Sequence, residues 1–112
     1  MSLLNYQQVN VVLEIDPSGD LMRSLMTIFE TDMPNHIESL KEAITALNLE
    51  NIKNISHLIK SSSLNIGAAE LANIAESIEA ALKPGIADYQ KLENCYKETV
   101  QDLRGYIKSL NI

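Results

Sequence analysis

The sequence predicts an all-α protein, an antiparallel up-down-up-down four-helix bundle closed by an N-terminal helical cap. Three observations carry that prediction. Apolar residues recur every three or four positions from end to end, the period of an amphipathic helix. Strand signals are scarce: alternating apolar and polar runs do not recur, and aromatic residues make up only 4% of the 112 residues. The stretches between apolar stripes are short, and short connections make consecutive helices antiparallel neighbours.

Residues 1–16 form the expected cap segment, a short helix ahead of a turn at Asp16-Pro17-Ser18-Gly19. Its first residues, Met1-Ser2-Leu3, are as compatible with a cloning remnant as with native sequence. The first bundle helix is expected over about 19–47, from Leu21, Leu25, Ile28 and Phe29 through Ile37, Leu40, Ile44 and Leu47. Pro34 falls in its middle. It either kinks one long helix or opens a second behind a Thr31 or Asp32 cap. The second helix, about 49–65, follows from Ile52, Ile55, Ile59, Ser63 and Ile66, with Asn48 as N-cap and Gly67 as the left-handed residue that ends it. The third, about 68–82, follows from Leu71, Ile74, Ala75, Ile78 and Leu82, and Lys83-Pro84-Gly85 stops it. The last, about 88–110, carries Tyr89, Leu92, Tyr96, Val100, Leu103, Ile107 and Leu110. Gly105 lies inside it at a cost of about 1 kcal/mol relative to Ala, too little to break a helix packed along its length. No repeat, low-complexity tract or long linker interrupts the pattern, so residues 1–112 read as one domain.

Composition narrows the function. Nine Lys and Arg stand against fifteen Asp and Glu, a formal charge of −6, and nothing here could neutralise a run of nucleic-acid phosphates. One cysteine makes neither an internal disulfide nor a structural zinc site, and a lone thiol fits a reducing compartment. No apolar run approaches the ~20 residues that span a bilayer, and the N-terminus lacks the basic start and apolar stretch of a signal peptide. The expectation is a soluble, cytoplasmic monomer with no membrane or nucleic-acid partner.

The two histidines can be weighed one at a time. At about 100° per residue, His57 falls about 175° from the apolar stripe of its helix and so points at solvent. Lys53, Asn54, Lys60, Ser61 and Leu64 share that outer face. A protruding imidazole, cations nearby in an acidic protein, small polar neighbours and a large apolar side chain together suit a docking surface. His36 and Asp32 are four apart, the spacing of two metal ligands, but two ligands do not make a site and no third joins them, so no metal is expected. Cys95, beside Leu92 and Tyr96, reads as a half-buried structural thiol, with no cationic cluster to activate it. Met22, Met26 and Met33 read as core filler. Glu-x-x-His pairs, Gly-rich phosphate loops and nucleophile elbows are absent from the sequence.

The run His57-Leu58-Ile59-Lys60-Ser61-Ser62-Ser63-Leu64-Asn65-Ile66-Gly67-Ala68-Ala69-Glu70-Leu71 resembles the signature of histidine-containing phosphotransfer (HPt) domains. In that signature the histidine is followed by an apolar residue two on, a lysine three on, small residues, and an apolar-Gly-Ala turn. Phe29, Asp32 and Pro34 resemble the family's Phe…Asp-x-Pro stretch, and Asn48 stands nine residues before the histidine, where the family often has Asp. The resemblance covers most of the chain. One position departs: Ser61 occupies the place of a usual glycine, where its hydroxymethyl group either crowds the approach or donates a hydrogen bond to phosphoryl oxygens.

What the resemblance implies is a phosphoryl carrier in a multistep two-component relay, with neither kinase activity nor ATP site. His57 is the implied phosphoacceptor, attacking the acyl phosphate of a receiver domain through Nε2, and a second receiver's aspartate later takes the group. An exposed imidazole with an ordinary pKa near ~6.5 is largely neutral at cytoplasmic pH, so its lone pair needs no general base. Lys60, one turn on, steadies the phosphoryl oxygens. Lys53, Asn54, Ser61, Leu64 and Ala68 are the expected partner-binding residues. Response-regulator receiver domains or a hybrid sensor kinase are the expected partners, and magnesium is expected on the receiver alone. The other reading of the same face is a module that docks a receiver without transfer.

Overall fold

In the computed structural model, which describes residues 2–110, the apolar stripes close on one another; Met1, Asn111 and Ile112, the ends of the expected domain, lie outside the described residues. Five helices form: α1 (Tyr6–Ile15), α2 (Asp20–Thr45), α3 (Leu49–Ile66), α4 (Ala69–Ala80) and α5 (Ile86–Ser109), with no strand among the described residues. Within the bundle α2 packs on α3, α3 on α4, α4 on α5, and α5 returns to α2, while the diagonal pairs make no close backbone approach. That cycle of neighbours, joined by short turns, is an up-down-up-down four-helix bundle. The cap helix α1 packs across α2 and α3. At about 1.5 Å per residue the 26-residue α2 is about 39 Å long and accounts for most of the 44 Å long axis.

Helix α2 runs unbroken through Pro34, so the alternative of a new helix capped by Thr31 or Asp32 does not form. A proline in a helix interior costs about 3 kcal/mol or more. Burying a Met, Phe, Leu or Ile side chain returns about 1.5–3 kcal/mol each, and Met22, Met26, Phe29, Met33, Ile37, Leu40 and Ile44 are buried on both sides of the proline. Continuity also fixes the phase. Met22, Met26 and Met33 are in the core, as expected, but Ile28 is 56% exposed, and Leu21 and Leu25 sit at the core's margin.

Three leucines assigned to stripes lie outside the helices, and one of them, Leu110, follows α5 directly and is 38% exposed. Leu47 is 72% exposed at a φ of +56°, just past α2. Its N–H donates to the Ile44 carbonyl and that of Asn48 to the Ala43 carbonyl, the paired bonds of a Schellman turn. Leu82 is 94% exposed because α4 ends two residues earlier, ahead of Pro84. Gly105 stays within α5, as expected.

The turn after α3 is a second Schellman turn, and here the left-handed residue is Gly67, at φ +81°. The cap segment docks on it. Asn5 donates its N–H to the Gly67 carbonyl at 2.8 Å, and Glu70 donates to the Leu3 carbonyl at 3.1 Å. At the other end of α1, the Asp16 carboxylate accepts bonds from the Ser18 hydroxyl and the Ser18 and Leu21 N–H groups. Those bonds, the Ser18 hydroxyl foremost, hold its pKa below the usual carboxylate range.

Candidate functional site

The third helix is held from both ends and along one side. Asn48 caps it, its side chain accepting the Asn51 N–H at 3.1 Å. Ile52, Ser56, Ile59, Ser63 and Ile66 form its buried face, stepping by four and three. Ile55, expected in the stripe, is half-buried, and Ser56, which has no apolar signature, is fully buried in its stead. The Ser63 hydroxyl donates to the Ile59 carbonyl at 2.6 Å, which lets a polar residue sit in the core without an unmet bond.

That phase turns His57 outward, with its side chain 62% exposed, midway along a rigid helix. Lys53, Asn54 and Ser61 are exposed around it, and Leu58 and Leu64 are each 51% exposed. Lone surface leucines are ordinary, but Leu58 next to His57 and Leu64 two turns further along the same helix give the polar centre an apolar border. Ala68 is not part of this surface. It is the fully buried N-cap residue of α4, because the turn at Gly67 folds it under the cap segment.

The fourth helix brings two carboxylates that the sequence pattern did not single out. Glu79 Oε1 lies 3.5 Å from His57 Nδ1, and Glu76 Oε1 lies 3.4 Å from Lys60 Nζ. The second oxygen of Glu79, Oε2, is buried and has no hydrogen-bond partner. An open groove of about 320 Å³ runs beside the imidazole, lined by Lys53, Lys60, Glu76, Glu79 and Ala80. Its formal charge is balanced, two cations against two anions. A proton on Nδ1 is favoured by the facing carboxylate, and that tautomer leaves the lone pair on Nε2.

The remaining candidates separate from this site. His36 is half-buried in a different groove, with Ser39, Asn51, Ile55 and Leu58, while Asp32 lines another with Leu25, Ser62 and Asn65. Among the described residues no three His, Cys, Asp or Glu side chains gather as a metal site. Cys95 is buried rather than half-buried, 3.7 Å from the Thr99 hydroxyl, and burial pushes its thiol pKa up. No described helix is long and apolar enough to cross a membrane.

Comparison with known proteins bears on the family and the fold. Residues 24–106 match the family model described as "Hpt domain". A curated relative, "Phosphorelay protein LuxU" of Vibrio vulnificus (strain YJ016), is 31% identical over 87 residues, covering 78% of this chain and 75% of the relative. Among solved structures, histidine-containing phosphotransfer protein B (HptB) of Pseudomonas aeruginosa PAO1 superposes with a TM-score of 0.84 at 19% identity, over 96% of each chain. The histidine-containing phosphotransfer domain of ArcB from Escherichia coli superposes at 0.77 with 21% identity, over 96% of this chain and 95% of that one.

Proposed function

The chain belongs to the Hpt domain family, and from that premise we propose that it is a phosphoryl carrier of a multistep two-component relay, with His57 as the acceptor. The observation that carries the reading is the outward imidazole on a helix whose opposite face is locked in the core.

The step balances without help from this chain's other residues. The Nε2 lone pair forms a bond to phosphorus as the bond from phosphorus to a receiver's aspartate oxygen breaks, returning its electron pair to the carboxylate. The proton on Nδ1 stays, so the ring becomes an imidazolium facing the Glu79 carboxylate, an arrangement that stabilises the charge as it develops. Glu79 is thus a positioning residue. Phosphoryl transfer asks for in-line positioning and charge stabilisation. Lys60 supplies the second, its stem packed and its ammonium one turn from the ring. Return transfer to another receiver runs the same step backwards. In this reading magnesium belongs to the receiver, the chain itself has no kinase activity, and the exchange is cytoplasmic between a monomer and receiver domains. Lys53, Asn54, Ser61 and Leu64 form the polar and apolar parts of the receiver contact.

The test is to mix the protein with phosphorylated receiver domains and follow label that is acid-labile and alkali-stable. Wild type is expected to take up label, and absence of label with several receivers would overturn the proposal. Lys60→Ala should slow transfer about tenfold, the loss of roughly 1.4 kcal/mol of charge-assisted stabilisation.

Ser61 decides between this reading and docking without transfer. Its side chain is exposed one turn from His57, where a hydroxymethyl group can swing aside. Ser61→Gly should therefore change the transfer rate by less than about threefold, under 1 kcal/mol. A gain well beyond tenfold would mean that Ser61 blocks the site and that the natural protein mainly docks.

A further inference from the structure

Both groups that would handle a phosphoryl group already have partners in the unmodified protein. Lys60 is paired with Glu76, and the Nδ1 edge of His57 faces Glu79. The two carboxylates act differently. Glu79 faces Nδ1, at the edge of the ring away from Nε2. Glu76 lies with Lys60, on the cation the phosphoryl group must recruit.

Resting on the reading of His57 as phosphoacceptor, we propose that Glu76 is an internal competitor for Lys60 that keeps the phosphoryl affinity of His57 low, so that the group is passed on rather than stored. The groove beside the ring holds Lys53 and Lys60 against Glu76 and Glu79. A phosphoryl group brings about two negative charges beside that balanced set, against the one positive charge gained by the ring. Either Lys60 leaves Glu76 for the phosphoryl oxygens, losing the pair, or it bridges both with its three donors. In the bridged case a carboxylate oxygen stands roughly 5 Å from a dianion's oxygen, both bonded to one tetrahedral ammonium, across partly solvated space. Both routes penalise the phosphorylated form and leave the unmodified form untouched, so the sign does not depend on which is taken. The Lys60 side chain is only 28% exposed, so its stem is packed and its ammonium is held at this groove.

Glu76→Gln removes the competing charge from an exposed helix position while keeping the side chain's shape. Two phosphodonors separate this proposal from the relay reading: a phosphorylated receiver domain and phosphoramidate, which labels histidine without a protein partner. Glu76→Gln is expected to raise the equilibrium ratio of phosphohistidine to receiver phosphoaspartate by about three- to tenfold, and to raise the plateau reached with phosphoramidate in the same direction. The gain should shrink as potassium chloride rises, since exposed charges are screened within about 10 Å at 0.1 M salt, whereas a structural change would not respond so. Glu98→Gln, the same change in net charge on α5, should leave both plateaus unchanged. A fall or no change with Glu76→Gln under phosphoramidate would show that Glu76 merely orients Lys60 and would overturn the proposal. Label from phosphoramidate but from no receiver would instead count against the relay reading and leave the competition measured.

Discussion

His57→Gln is expected to lose phosphoryl acceptance altogether, by at least about 10³-fold, while keeping the fold and the receiver contact. Glutamine retains a polar side chain of similar reach but has no nitrogen lone pair to attack phosphorus, since its amide nitrogen is committed to resonance. The position is 62% exposed, and surface substitutions away from special features usually change stability by less than about 0.5 kcal/mol. Loss of label with unchanged melting and unchanged receiver binding therefore isolates chemistry from folding. His36→Gln supplies the internal comparison. That ring is half-buried in a groove shared with Ile55 and Leu58, away from Lys60 and both α4 carboxylates. It should label like wild type. If the His57 variant kept its label and the His36 variant lost it, the assignment of the acceptor would be wrong.

The route from sequence to this site was direct where one helix decided the matter and indirect where two did. The outward direction of His57 follows from the phase of Ile52, Ile59 and Ile66 alone, because 3.6 residues per turn leave it no other side. In α2 the neighbouring pairs Leu21 and Met22, Leu25 and Met26, and Ile28 and Phe29 allow two phases. The choice falls to Ile37, Leu40 and Ile44, whose phase carries back through Pro34 only if the helix is continuous. A local reading that breaks the helix at proline loses that information. Glu76 and Glu79 look like ordinary polar-face residues of α4 until α3 is folded against it. Yet the turn gives their partners: His57 and Glu79 are each eleven residues from Ala68, and Lys60 and Glu76 are each eight. In an antiparallel hairpin such pairs lie level. Ala68 is put on the docking surface by the resemblance, as part of the apolar contact. Its burial comes from the cap segment, Leu3 to Val9, which folds over the turn by a contact between residues more than sixty apart, and no periodicity reports such a contact.

That contact is also where a single methyl group should do the most damage. Gly67→Ala is expected to destabilise the protein by about 2–4 kcal/mol and lower its melting temperature by roughly 10 °C or more. Two costs act together. At φ +81° an alanine is in the left-handed region, at about 1–2 kcal/mol. Its Cβ would also lie 2.8 Å from Val9 Cγ2 and 2.9 Å from the Asn5 carbonyl oxygen. The valine can give a little, but the Asn5 oxygen is backbone. It accepts the Val9 N–H that begins α1, and the same residue donates to the Gly67 carbonyl. Relieving the clash therefore means lifting the cap segment from the end of α3 rather than turning a side chain. Gly105→Ala makes the opposite prediction from the same chemistry. Nothing lies within 4 Å of the added carbon, the position is inside α5, and the helix should gain about 0.5–1 kcal/mol. Urea unfolding of the two variants beside wild type measures both signs. A Gly67 variant as stable as wild type would mean that the cap does not rest on this turn, and the burial of Ala68 would lose its explanation with it.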